Sequence, residues 1–180
     1  MFRRYKIIII PVLILLLGTP YLYLRLSNNF HSITPGEAYR SAQPGGEYLE
    51  KYIKQYGIKS VLNLRDENPD DAPWYKDEVN TGAKNNIVHY DVALSAKNEP
   101  TSQDVKKLME IFKTAPRPIL IHCKAGSDRS GLVAAMWKVV VDKETKPEAE
   151  KQLSLRFGHL PFGQTAAMDR FFDKWKPELE

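Results

Sequence analysis

The sequence predicts an α/β domain whose central, mostly parallel sheet is flanked by helices, preceded by one N-terminal transmembrane helix. Three features lead there. Short apolar strands alternate with longer amphipathic segments, the pattern of strand–helix units. The apolar strand Pro118 to His122 runs through a glycine-containing loop into the apolar helix that starts near Gly131. An uncharged run lies near the start of the chain. A length of 180 residues suits one domain, and 27% charged with 43% hydrophobic residues suits a globular one. The expected division is 1–26 signal anchor, 27–35 linker and 36–180 globular domain.

Ile7 to Leu24 carries no charge over 18 residues. As a helix it would span roughly 27 Å, close to the hydrocarbon thickness of a bilayer. Arg3, Arg4 and Lys6 precede it and only Arg25 follows closely. The positive-inside rule then places the N-terminus in the cytoplasm and the rest of this single-pass chain outside it. A cleaved signal peptide is the competing reading, but Tyr-Leu-Tyr-Leu-Arg-Leu offers no small-x-small cleavage site. A buried core helix is opposed by Pro11, Gly18 and Pro20.

Along the rest of the chain, Gly46 to Tyr56 places Tyr48, Leu49, Tyr52, Ile53 and Tyr56 at helical spacing, and Gly57 ends that helix. Ile58 to Leu64 reads as a buried strand, Asp66 to Pro73 as a loop and Trp74 to Lys84 as a helix. Ile87 to Val92 is a second strand. Thr101, with Asp104 three residues on, caps a helix reaching Lys113. Pro118 to His122 is a short apolar strand, and Gly131 to Val141 a mostly apolar, buried helix. Helical stretches near Pro147–Phe157 and Gln164–Trp175 close the chain.

Charge and cysteine content narrow the function. Four of the 26 basic residues lie in the first 26 positions, which leaves 22 against 22 acidic residues in the remainder. A neutral domain without a basic stripe excludes a nucleic-acid footprint. One cysteine excludes a disulfide framework within the chain. In an oxidising compartment a thiol with no partner in its own chain could stay reduced.

That cysteine lies in His122-Cys123-Lys124-Ala125-Gly126-Ser127-Asp128-Arg129-Ser130-Gly131. A strand end beside a helix N-terminus is where an α/β sheet binds ligands. Helix-start and loop N–H groups, here those of Lys124, Ala125, Gly126, Ser127, Asp128 and Arg129, favour a thiolate and equally a bound phosphate. Gly126 and Gly131 let the backbone approach closely. Arg129 can bind two phosphate oxygens with its fork. Ser130 can donate its hydroxyl to the sulfur. The loop therefore reads as a nucleophile, Cys123, with a phosphate clamp, Arg129, rather than as a structural cysteine beside a solvated arginine.

The segment resembles the signature loop His-Cys-x5-Arg-Ser/Thr of the protein tyrosine and dual-specificity phosphatases. The wider similarity covers roughly residues 37–175. Tyr39-Arg40-Ser41-Ala42-Gln43-Pro44 and Val61-Leu62-Asn63-Leu64-Arg65 resemble bacterial exported dual-specificity phosphatases. Leu94 to Pro100 also resembles the plant and fungal atypical ones. The resemblance implies a sheet flanked by helices, a phosphocysteine intermediate, and no metal or other cofactor.

The proton donor to the leaving group is left open by the sequence. The resemblance implies an Asp about 25–35 residues before the cysteine, as acid–base logic requires a positioned carboxyl group. That window holds Asp91, Glu99 and Asp104. Asp91 lies in a strand, Asp104 caps a helix, and Glu99 lies in a loop whose Asn98 takes the usual acid position. Asp128, inside the signature loop, resembles the Asp proposed as the acid at the same place in myotubularins and in some bacterial phosphatases. Beside thiolate and phosphate, like charge there favours the protonated form. Asp128 is the leading candidate, with Glu99 and Asp91 as alternatives; its competing reading is a partner for Arg129 or a backbone N–H.

His122 reads as a loop-fixing residue rather than a directly catalytic one, Lys124 as a source of positive potential or a solvated lysine, and Arg40 and Arg65 as structural ion-pair partners rather than groups that steer an anionic substrate. His31, His89 and His159 show no metal-ligand spacing. The expected substrates are phosphotyrosine with phosphoserine or phosphothreonine. Phosphoinositides, phospholipid head groups and inositol polyphosphates are the alternative, and a phosphate-binding pseudophosphatase the second alternative. The membrane, through the N-terminal helix, is the other expected partner.

Overall fold

The computed structural model describes residues 18–19, 22–65 and 72–177. Five strands form one mixed sheet: β1 (His31–Thr34), β2 (Ala38–Ser41), β3 (Ser60–Asn63), β4 (Val88–Asp91) and β5 (Ile119–His122), in the order β1-β2-β5-β3-β4. β1 pairs antiparallel with β2; the β2–β5, β5–β3 and β3–β4 pairs are parallel. The three central strands β2, β5 and β3 are buried at every position, as parallel strands covered on both faces must be. In register, Ser41 and Asn63 lie beside His122, and Asp91 beside Asn63. The carboxyl ends of the four parallel strands therefore form one edge.

The helices are α1 (Gly46–Tyr56), α2 (Pro73–Lys84), α3 (Ser102–Thr114), α4 (Asp128–Val140), α5 (Lys146–Ala149) and α6 (Ala167–Lys174). Gly57 closes α1 in the left-handed region, its N–H bonded to the Ile53 carbonyl. Thr101 and Asp104 cap α3 reciprocally, which accounts for Asp104 as a capping group. The helix α4 is buried from Leu132 to Trp137 and fills the main core with Leu62, Ile119, Ile121 and Phe112. A smaller cluster on the other side of the sheet joins Leu49 and Tyr52 of α1 to Val61 and Leu120.

Several expectations change. The linker expected at 27–35 is part of the fold. His31–Thr34 forms β1, and buried Asn29 donates to the carbonyls of Ala125 (3.0 Å) and Phe157 (2.9 Å). Polar residues hid this segment, because their partners lie about a hundred residues away. β2 also went unread, since Arg40 and Ser41 interrupt its apolar pattern while being buried themselves. The helix α4 begins at Asp128 rather than Gly131, which puts Arg129 and Ser130 on its first turn. The stretch 147–157 divides into α5 and two 3₁₀ turns, Glu150–Gln152 and Leu155–Phe157. Most of the expected transmembrane helix lies outside the described residues; residues 22–26 are helical. Among the described residues no helix is long and apolar enough to cross a membrane. Residues 66–71 of the expected loop also lie outside them, and Pro73 begins α2.

Candidate active site

The loop between β5 and α4 is shaped by what holds its carbonyls. The Lys124 carbonyl accepts from the Gln43 N–H at 3.4 Å and the Ala125 carbonyl from Asn29 Nδ2 at 3.0 Å. Arg40 Nη2 donates to the carbonyls of Gly126 (2.9 Å) and Ser127 (3.0 Å). In a trans peptide the N–H points opposite the C=O. With four consecutive carbonyls turned outward, the N–H groups of Ala125, Gly126, Ser127 and Asp128 turn into the hollow of the loop. Such a set of N–H groups at the start of a helix makes an anion cradle. Gly126 is at φ 74, and a Cβ there would meet Ala42 N at 2.6 Å, so the loop and β2 approach as only glycine permits.

Cys123 is buried, and its Sγ lies 3.4 Å from Ser130 Oγ on the first turn of α4. Arg129 is buried, with Nη1 donating to the carbonyls of Leu64 (3.3 Å) and Leu94 (3.1 Å). Those carbonyls lie just beyond β3 and β4, so the strand ends fix the guanidinium plane. Lys124 and Ala125 are exposed at the mouth. The structure thus brings Cys123, Arg129, Ser130 and the loop amides together.

Behind the loop is a polar network that sequence reasoning missed. Glu78 of α2, completely buried, accepts from His122 Nε2 (3.1 Å), His89 Nε2 (2.8 Å) and Gln43 Nε2. Burial alone would raise the Glu78 pKa, but the two imidazoles outweigh it and hold it at about 2. The His89 ring, between Glu78 and Asp91, is held up at about 9 although burial opposes its charge. In sequence Glu78 was one more acidic residue on an amphipathic helix. Only the fold shows its helix turned toward His122.

The carboxylates expected as acids have different surroundings. Asp91 accepts from Asn63 Nδ2 (2.8 Å) and Tyr75 Oη (2.7 Å) and faces His89 Nδ1 at 3.3 Å. Its burial, which raises its pKa, is outweighed by these partners, which lower it; it is held as the carboxylate. Glu99 pairs with Lys174 of α6 at 3.1 Å and faces Arg170 at 3.6 Å. Asp128, in the loop itself, is half-buried, with Oδ1 2.8 Å from His159 Nδ1.

Arg40 is not the ion-pair partner expected. Fully buried, it also donates from Nη1 to the Gln152 carbonyl (2.7 Å) and lies over the Phe157 ring. Arg65 stacks on Trp74 at 3.6 Å from the ring centroid.

Residues 29–169 match the family described as "DSP-PTPase phosphatase fused to NAD+ Kinase". The chain belongs to this family of cysteine-based dual-specificity phosphatases. It is 32% identical over 117 residues to inositol diphosphatase DSP5 of Arabidopsis thaliana, covering 60% of this chain and 53% of the relative. It is 33% identical over 108 residues to inositol diphosphatase SIW14 of Saccharomyces cerevisiae, covering 57% and 36%. The chain thus spans between about a third and a half of the length of these relatives. The core catalytic domain of the yeast PP-IP phosphatase SIW14, in complex with citrate, superposes with TM-score 0.68 at 25% identity over 83% of this chain and 86% of that one. TpbA of P. aeruginosa, at 22% identity and TM-score 0.63 over 83% and 86%, shares the fold.

Proposed function

We propose that this phosphatase removes a terminal phosphate from a small polyphosphorylated substrate, with inositol diphosphates the favoured class. Phosphotyrosine, an aryl ester, is the second reading. The observation that carries the proposal is the loop whose outward-held carbonyls turn four N–H groups toward one hollow, with Cys123 and Arg129 beside it. Its similarity to the two inositol diphosphatases supports the substrate class.

In the proposed reaction Cys123 Sγ attacks phosphorus as the thiolate, and the bond from phosphorus to the leaving oxygen breaks. Arg129 and the loop N–H groups bind the three non-bridging oxygens as charge shifts onto them. Asp128 gives a proton to the leaving oxygen when that oxygen is an ester oxygen; a phosphate leaving from an anhydride needs little help. Water then attacks the phosphocysteine: a P–O bond forms, the water's proton passes to the Asp128 carboxylate or stays on the released phosphate, the P–S bond breaks, and Ser130 donates a hydrogen bond to the departing thiolate. A panel of inositol diphosphate, phosphotyrosine peptide and phosphoinositide, presented to the full chain, tests the substrate class. The highest kcat/KM is expected on inositol diphosphate; a preference for the peptide would reverse the order.

We also infer that Ile7 to Leu24 anchors the chain in a membrane with the catalytic domain extracytoplasmic. The uncharged run and the basic residues before it support this. Protease added outside the cytoplasmic membrane should digest the domain; digestion only after lysis would reverse the topology.

A further inference from the structure

In sequence, His159 stands alone, with no metal-ligand spacing to the other histidines. In the fold its ring is completely buried between two carboxylates from different elements. Nδ1 lies 2.8 Å from Asp128 Oδ1, at the first residue of α4. Nε2 lies 3.0 Å and 3.1 Å from the two oxygens of Asp169 on α6. Gly158, just before it, is at φ 78, and a Cβ there would lie 3.1 Å from Ser127 Oγ in the phosphate loop. The segment carrying His159 is therefore seated against the loop.

We propose that His159, held by Asp169, is the positioning residue of the proton-donor side of this site: it aims the Asp128 carboxyl group and stabilises the charge left on it. The proposal rests on Asp128 being the donor. With Oδ1 engaged by the imidazole, Oδ2 is the oxygen that carries the transferable proton. As the phosphorus–oxygen bond breaks, the Oδ2–H bond breaks and a new O–H bond forms on the leaving oxygen. Asp128 becomes a carboxylate that already accepts a charge-assisted N–H bond from the imidazolium. No reorganisation is needed at that moment, which is how a preorganised donor lowers a barrier.

An imidazolium beside Asp128 favours its carboxylate form, the form left once the proton has been transferred. Burial disfavours the imidazolium, but the hydrogen bonds to Asp128 and Asp169 outweigh burial and raise the His159 pKa. Arg40 of β2 is a further charged group close to this side of the loop, its guanidinium favoured by the charges of Cys123 and Asp128.

The test compares His159→Asn, Asp128→Asn and the double variant, in the full chain, on an alkyl phosphate and on an aryl phosphate with a good leaving group. Asp128→Asn is expected to lower kcat roughly 100-fold on the alkyl phosphate and only a few-fold on the aryl one, as loss of an acid does. His159→Asn should lower alkyl kcat roughly 10-fold with KM and aryl kcat little changed, and the double variant should be no worse than Asp128→Asn alone. Equal losses on both substrates for His159→Asn, or additivity in the double variant, would overturn the role of His159 and leave the acid in place. Equal losses for Asp128→Asn would remove the acid and His159's role with it. If His159→Asn does not fold, Asp169→Asn serves in its place, with the same direction and a smaller loss expected; a uniform loss there also overturns the proposal.

Discussion

Arg40 Nη2 lies 2.9 Å from the carbonyl oxygen of Gly126, inside a loop 86 residues further along the chain. Its guanidinium is fully buried, and burial pulls its pKa down to about 10 while the charges of Cys123 and Asp128 hold it up. It therefore stays charged at neutral pH, beneath the anion cradle. The same group orients two loop carbonyls and the Gln152 carbonyl.

Arg40→Lys keeps the charge but cannot donate to Gly126, Ser127 and Gln152 at once. A fall in kcat/KM of roughly 10–100-fold on an aryl phosphate is expected, as for a lost anion-hole support. Steady-state kinetics on the folded variant checks it. Near-normal activity would mean that the loop holds its shape without this brace.

Gly126→Ala should be the least tolerated glycine substitution in the loop. Its Cβ would lie 2.6 Å from Ala42 N and 2.7 Å from Ser41 C, both backbone atoms that cannot swing aside. The cost is expected at about 2–4 kcal/mol, with activity lost, from overpacking added to the left-handed strain. Gly163→Ala is the control: it shares a positive φ but has nothing within 4 Å of the added atom. Urea denaturation of both should show a much smaller loss for the control; similar losses would implicate φ alone.

The signature loop was legible because its chemistry is local: strand, cysteine, glycine, arginine and helix follow within a dozen residues. The α1, α3 and β5 elements were legible from apolar spacing and a capping box. Asn29, Arg40, Glu78 and His159 were not. Each gains its partner from a distant part of the chain, so composition shows only a polar residue of no stated address. Arg40 and Ser41 also broke the apolar run that would have marked β2. The acid stayed open because spacing from the cysteine cannot tell which carboxylates have other partners. The structure engages Asp91 with Asn63, Tyr75 and His89, and Glu99 with Lys174.

The Glu78–His89 pair sets a pH window for stability. The His89 pKa is raised to about 9 in the fold from an ordinary 6.5, so its contribution is complete below 6.5 and lost as pH climbs through 9. The Glu78 pKa is lowered to about 2 from 4.5, so its contribution is complete above 4.5 and lost as pH falls toward 2. The two shifts share the Glu78–His89 contact and are not added: against burial, Glu78 is lowered first by His122 and then by His89, and His89 is raised first by Asp91 and then by Glu78. Stability should therefore be greatest between these limits, with an alkaline loss of about 1–3 kcal/mol from this pair. Denaturation at pH 6 and pH 9.5 checks it. His89→Gln should be less stable at pH 6 and lose the alkaline decline; an unchanged decline would assign it elsewhere.

In the proposed mechanism Cys123 carries the phosphoryl group. The most direct measurement is an acid quench of the full chain during turnover, followed by mass spectrometry of the peptide containing Cys123. A phosphate adduct on Cys123 is expected within the first turnover. In Cys123→Ser the adduct should be absent and turnover abolished, with phosphate-like anions still bound, since a hydroxyl is a far weaker nucleophile than a thiolate at neutral pH. Normal turnover by Cys123→Ser, with no adduct on the unmodified chain, would contradict the mechanism at its first step.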